Sequence, residues 1–187
     1  MEDSVVDEER KVALEAEKLA TELFSTGQFT VFKSMSCVSW IRLGYMHFGV
    51  LVDDGKKKIG EISAGRESPV DPIEALSQKM RAQFVVRDAS KEEADSVVII
   101  LRVPTQELKM ASARFAAIQR IWAEGRISYN LQSNNCEHVS RFITTGLFDS
   151  SQSQLLRNAQ NVVLENPKKT IVIGVAAAAA AAIGAYW

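Results

Sequence analysis

Strand-type and helix-type patterning are segregated along this chain, and Pro104 marks the border between them. Upstream, 28–65 alternates in strand fashion, and 82–86 and 97–103 read as further strands. Downstream, apolar residues recur at helical spacing, first over 105–123 and again from Ser133 or Asn134 to about Gly146. Strands first and helices afterwards argue against a parallel sheet of βαβ units and predict an α+β domain with an antiparallel sheet. In detail, Phe29-Thr-Val-Phe reads as a strand, and 45–52 with 59–62 read as a hairpin pair around Asp54-Gly55. Residues 66–77, with Pro69 and Pro72, read as a surface loop; 82–86 and 97–103 read as strands around a charged loop at 88–95. Thr105 is expected to cap the first late helix and Gly125 to stop it, while Ser133 or Asn134 caps the second.

The core must come from burial alone, because two cysteines in 187 residues cannot staple a domain of this size. With 22 basic against 23 acidic residues there is no general field for nucleic acid, and 47% hydrophobic residues exclude a disordered chain. The opening MEDSVVDEERK lacks the apolar run of a secretory signal, so a reducing compartment is expected. Residues 7–24 form a helix with a thin apolar stripe, Val12, Leu19 and Phe24 with Ala13, Ala16 and Ala20, that leans on the domain or docks on a protein partner. At the other end, Lys168 and Lys169 precede an uncharged run, TIVIGVAAAAAAAIGAYW at 170–187, about 27 Å long as a helix. Tyr186 and Trp187 sit where interfacial aromatics belong, and the flanking lysines put the preceding domain on the cytosolic side. The reading is a single-pass C-terminal membrane anchor. Four segments follow: an N-terminal helix at 1–26, the domain at 27–150, a linker at 151–169 and the anchor at 170–187.

Chemistry-bearing residues are few: two histidines, His47 and His138, and two cysteines, Cys37 and Cys136. No set of four paired ligands suits zinc, no Gly-rich phosphate loop is present, and no serine occupies a Gly-x-Ser-x-Gly elbow. No metal or cofactor is called for, and cysteine nucleophile chemistry remains. Cys136, in Ser133-Asn-Asn-Cys-Glu-His-Val, lies at a helix start, where free N–H groups and the helix dipole favour a thiolate and can hold an oxyanion. His138 is not its base, because two residues along a helix turn it about 200° away. Cys136, Val139 and Ile143 share the face expected on the sheet; His138, Arg141 and Thr145 share the other. The base is therefore His47, on a strand. Which group orients His47 depends on the hairpin register. A two-residue turn at Asp54-Gly55 pairs His47 near Ile62 and sends Glu61 away. A three-residue loop pairs His47 with Ser63 and brings Glu61 and Ser63 to its face, Glu61 as the stronger acceptor of the ring N–H.

These residues carry a resemblance. Asn135-Cys136-Glu137-His138 resembles the Asn-Cys-Glu-His signature of the lecithin:retinol acyltransferase-like proteins, and is closest to their phospholipase A/acyltransferases, the H-Ras-like suppressors. Tyr129-Asn-Leu-Gln-Ser-Asn-Asn-Cys resembles that family's Tyr-x-Leu-x-Ser-x-Asn-Cys, and Tyr45-x-His47-Phe-Gly-Val-Leu-Val-Asp-Asp-Gly its Tyr-x-His strand. The resemblance spans roughly 28–146 and implies a circularly permuted papain-like thiol hydrolase fold, with the antiparallel sheet packed against the Cys-bearing helix. It also implies acyl transfer from glycerophospholipids through a Cys136 acyl-thioester at a bilayer. Tyr45 and Tyr129 are then candidate oxyanion donors, with Asn135 and Ser63 in support. One departure stands out: the family usually carries a second histidine an even number of positions after the first, where this chain has Ile59 or Glu61. A Cys136–His47–Glu61 triad keeps the parity. The rival readings are a catalytically silent membrane adaptor of the same fold and a papain-like thiol peptidase.

Overall fold

The computed structural model describes residues 2–42, 45–53, 58–64, 82–126, 135–151, 153 and 154. Helix α1 (Glu2–Thr26) is followed by strands β1 (Ser36–Arg42), β2 (Tyr45–Asp53), β3 (Lys58–Ala64) and β4 (Ala82–Asp88). A short helix α2 (Lys91–Ser96) precedes strand β5 (Val98–Arg102), and helices α3 (Leu108–Ala123) and α4 (Cys136–Thr145) complete the described elements. The five strands form one antiparallel sheet in the order β4-β3-β2-β1-β5. The α+β class and the antiparallel sheet are therefore as expected.

Pleat parity divides the sheet into two faces. Val50, Val52 and Ile62, with Phe84, join α1, α3 and α4 in the main core, which includes Leu19, Phe115, Ile118, Ile121, Phe142 and Ile143. On the other parity, Val38, Trp40, Leu51 and Ile59 form a smaller cluster with Ala89 and Val97 against it. Helix α1 belongs to the domain: Val12, Ala16, Leu19, Ala20 and Leu23 recur at helical spacing and are all buried in the main core. Each large apolar side chain so buried contributes about 1.5–3 kcal/mol relative to exposure, which outweighs the few tenths that surface contacts offer. Leu23 rather than Phe24 ends the stripe; Phe24 is half-buried, with the Lys109 ammonium 4.4 Å from its ring centre.

Several local expectations are corrected. Residues 29–32 are not a strand. Phe29 and Phe32 instead turn into the main core, Phe32 meets Phe115 edge to face at 5.0 Å, and its backbone N–H donates to Ser112 Oγ at 3.0 Å. The strand that heads the sheet is β1, which alternation alone did not reveal because Ser36, Cys37 and Ser39 are buried with Val38 and Trp40. The charged stretch 88–95 contains α2, started by a capping box between Ser90 and Glu93. Thr105 opens a single 3-10 turn, Thr105–Glu107, with no side-chain cap, and α3 begins at Leu108. Asn135, not Ser133 or Asn134, caps α4.

No helix among the described residues is long and apolar enough to cross a membrane. The expected anchor at 170–187 lies outside them, as do Asp54, Gly55, the 66–77 loop, Tyr129, Ser133 and Asn134.

At Gly60 the sheet passes close against Phe115 of α3. A Cβ built there would stand 2.5 Å from Phe115 Cε2 and 3.3 Å from Phe84 Cζ. Phe115 is fully buried and has nowhere to retreat. Gly60→Ala is expected to lower the free energy of unfolding by about 1–3 kcal/mol in urea titrations. Phe115→Leu should cost less in the Gly60→Ala background than in wild type, because it vacates the contested space.

Candidate active site

Cys136 is the first residue of α4, and its position is set by its neighbours. Asn135, in extended conformation, caps the helix: its Oδ1 accepts from the backbone N–H groups of Glu137 at 2.9 Å and His138 at 3.1 Å. Those two N–H groups are thereby taken up by the cap, which removes them as oxyanion donors. Asn135 Nδ2 donates to Ser150 Oγ at 3.2 Å and Ser153 Oγ at 3.0 Å. Glu137, also buried, accepts from Ser150 Oγ at 2.7 Å and Ser151 Oγ at 2.8 Å. The residues on either side of Cys136 thus bind the chain that leaves the far end of α4. His138 belongs to this scaffold: its Nδ1 accepts from the Asn135 backbone N–H at 3.4 Å and its ring stacks on Phe148 at 5.2 Å.

His47 lies on β2 opposite Trp40 of β1, whose ring meets the imidazole edge to face at 4.8 Å. Between β2 and β3, Val50 pairs with Gly60 and Leu51 with Ile59. Continued along the pleat, that register sets His47 opposite Ser63 and turns Glu61 to the same face, as the longer of the two loops requires. A shift at Asp53↔Lys58 takes up the difference near the turn. His47 Nε2 and Glu61 Oε2 are 2.7 Å apart, and both residues are buried. With Nε2 committed to Glu61, Nδ1 is the ring nitrogen that remains for the Cys136 thiol, whose charge favours the protonated imidazole.

Glu61 has a second partner that sequence reasoning missed. On β4, Arg87 pairs with Ile59 and therefore shares the face of Glu61. Its Nε donates to Glu61 Oε1 at 2.6 Å. Its two terminal nitrogens grip Glu93 of α2, each at 2.7 Å. Glu93 is held in turn by the Ser90 backbone N–H at 2.9 Å. The available signals were the Ser90-x-x-Glu93 spacing of a capping box and the parity of Gln83, Val85 and Arg87 along a strand that the pattern ended at Val86. Trp40 was missed because β1 was.

Electrostatics follow from these contacts. Burial alone would lower the basicity of His47, but the negative charge and hydrogen bonds of Cys136 and Glu61 outweigh it and push the imidazole up to about 9. Burial opposes the Glu61 charge as well; hydrogen bonds from His47 and Arg87 nevertheless hold its carboxyl below the usual range. Arg87 likewise holds Glu93 down to about 2. Cys37 contrasts with all of these: burial pushes its thiol up to about 12, so it stays protonated at neutral pH.

Of the remaining candidates, Tyr45 lies on β2 and Ser63 on β3, but their side chains are not among the described ones, and Tyr129 is outside the described residues. Among the described residues no group of three or more His, Cys, Asp or Glu is placed to hold a metal ion. What the geometry offers is a thiol, an imidazole able to take its proton, and an ionised carboxylate behind the imidazole. A protein-family model, Lecithin retinol acyltransferase, matches residues 32–149, more than half of the chain. No curated protein and no solved structure matches.

The raised basicity of His47 has a stability consequence with a definite sign. The protonated imidazole is favoured in the folded state, so its contribution is fully present below about pH 6.5 and is lost as pH rises through about 9. Unfolding in urea should therefore become easier by on the order of 1–3 kcal/mol across that window. In His47→Gln the loss over the same window should disappear.

Proposed function

The chain belongs to the lecithin retinol acyltransferase family, and on that premise we propose that it is a thiol acyltransferase of phospholipase A type. Its substrates are glycerophospholipids, its nucleophile is Cys136, its base is His47, and Glu61 stands in for the family's second histidine. The reading extends to the circularly permuted papain-like form of the fold and to 170–187 as an anchor that holds the domain at a cytosolic bilayer surface.

The chemistry runs in two halves. His47 Nδ1 takes the proton from Cys136 Sγ, and the thiolate adds to an ester carbonyl carbon of the lipid. As the tetrahedral species collapses, the carbon–oxygen bond breaks and the imidazolium returns its proton to the leaving lysolipid oxygen, leaving an acyl-thioester on Cys136. Water, an amine or a lysolipid hydroxyl then gives its proton to His47 and attacks the thioester; the proton passes back to the sulfur as the acyl group leaves. Through both halves Glu61 stabilises each imidazolium without moving a proton itself.

The observation that carries the proposal is the 2.7 Å contact of Glu61 with His47 Nε2, made by a buried carboxylate held ionised. A silent adaptor has no need of a supported imidazole, so that contact weighs against the adaptor reading.

Two measurements test this. Incubated with phosphatidylcholine vesicles, the full chain should gain the mass of one acyl group on Cys136, and Cys136→Ala should gain none. Glu61→Ala should slow acylation by roughly 10–10³-fold, about 1.4–4 kcal/mol of barrier, with Glu61→Gln in between. No adduct on wild type with any lipid would return the adaptor reading. For the anchor, the full chain should sediment with membranes and resist high salt, while a chain ending at Lys169 should stay in the supernatant. Full-length protein that remains in the supernatant would remove the anchor.

A further inference from the structure

Glu61 is 1% exposed, and a carboxylate in such a place needs a cation beside it. His47 cannot fill that role through a whole reaction cycle, because it is neutral whenever it has passed its proton on. Arg87 can, since a guanidinium stays charged at every working pH. The contacts it makes are the ones required. Nε reaches Glu61 Oε1 at 2.6 Å, and the other edge of the fork is fixed by the two oxygens of Glu93. One planar group thus bridges β3 and α2 and leaves Glu61 Oε2 for His47.

We propose that Arg87, held by Glu93, is a positioning residue of the active site that keeps the buried Glu61 carboxylate ionised and aimed at His47. The inference rests on the acyl-transfer reading of Cys136, His47 and Glu61, and it adds two residues to that site. Among the described residues, the groups facing His47 include Cys136 from α4, Glu61 from β3 and the Trp40 ring from β1; Arg87 from β4 faces Glu61, and Glu93 from α2 faces Arg87. Without Arg87, Glu61 takes up a proton or turns toward water. In either case Nε2 loses its anionic acceptor when the imidazolium forms, and the Cys136 thiolate becomes harder to produce at neutral pH.

The test is the rate of iodoacetamide alkylation of Cys136 in the full chain, followed by mass from pH 5 to pH 9.5. In Arg87→Met the rate at neutral pH should fall roughly tenfold, and its rise with pH should move up by about one unit. Arg87→Lys keeps the charge but not the fork, so it should recover part of the shift, and Glu93→Gln should show a smaller displacement of the same sign. A brace that served stability alone would lower resistance to urea and leave the pH profile in place. Should Arg87→Met fail to fold, Arg87→Lys and Glu93→Gln carry the test, and wild-type profiles in both would overturn the inference. A fast, His47-dependent wild type with an unmoved Arg87→Met profile overturns it too and leaves the triad standing. A wild-type Cys136 as slow as Cys37 and indifferent to His47→Ala overturns the triad, and this inference with it.

Discussion

The carboxylate of Glu61, sealed between β2, β3 and β4, sets the terms for the surrounding structure. Removing such a charge from water costs several kcal/mol, and only close opposite charge and good hydrogen bonds offset that cost. Both oxygens are therefore spoken for, one by His47 and the other by Arg87. Each partner needs its own support. His47 is walled by Trp40, and Arg87 is gripped by Glu93, whose capping box starts α2. A helix of six residues in a charged stretch, with little apolar surface of its own, holds together because it closes this line of charge. The sheet register is bound up with it: slipping β3 by one residue would exchange Glu61 for Gly60 or Ile62 and leave His47 without an acceptor.

A second network holds Cys136, the proposed nucleophile. Of the four residues Asn135 to His138, three build the surroundings of Cys136. Asn135 caps α4 and binds Ser150 and Ser153, Glu137 accepts from Ser150 and Ser151, and His138 stacks on Phe148. At about 0.5–1.5 kcal/mol net per hydrogen bond, the set is worth more in precision than in stability, because leaving any of these buried groups unpaired costs more than making the bond returns. Ser150, Ser151 and Ser153 also lie past residue 149, where the family match ends. The helix start in this chain is thus tied to residues on both sides of the boundary expected at 150.

How much of this the sequence discloses depends on the range of the interaction concerned. Local signals read well. Alternation, Pro104 and the two late helical runs give the class and the order of elements, and a helix start near Cys136 is read from Ser133 or Asn134, one or two residues before the cap that forms, Asn135. The pairing of Glu61 with His47 is legible as one of two registers, because hairpin parity is a short-range rule; the choice between them needs the structure. Long-range burial is where the pattern misleads. Phe29-Thr-Val-Phe alternates like a strand but is drawn into the helix layer by Phe115 and Ser112, while Ser36-Cys-Val-Ser-Trp looks too polar and forms the strand beside His47. Arg87 and Glu93 are six residues apart, yet their common purpose is visible only once Glu61 is known to be buried between strands.

The same burial governs what the carboxylate of Glu61 requires of its neighbours. A histidine at position 61 would carry no permanent charge and would need no cation beside it. A glutamate at the same parity brings a full charge, and with it a requirement for a permanent cation on the neighbouring strand. Arg87 meets the requirement because Val85 pairs with Glu61 and Ile59 with Arg87, so the guanidinium arrives on the same face one pleat away. A lysine there would supply charge without the fork, and could not grip both oxygens of Glu93 while reaching Glu61. Glu61 is accordingly not an isolated choice. It is workable as a set, Glu61 with Arg87 and Arg87 with Glu93. A chain with the glutamate and no basic residue in register on the adjacent strand would keep this fold at the expense of an ionised partner for its histidine.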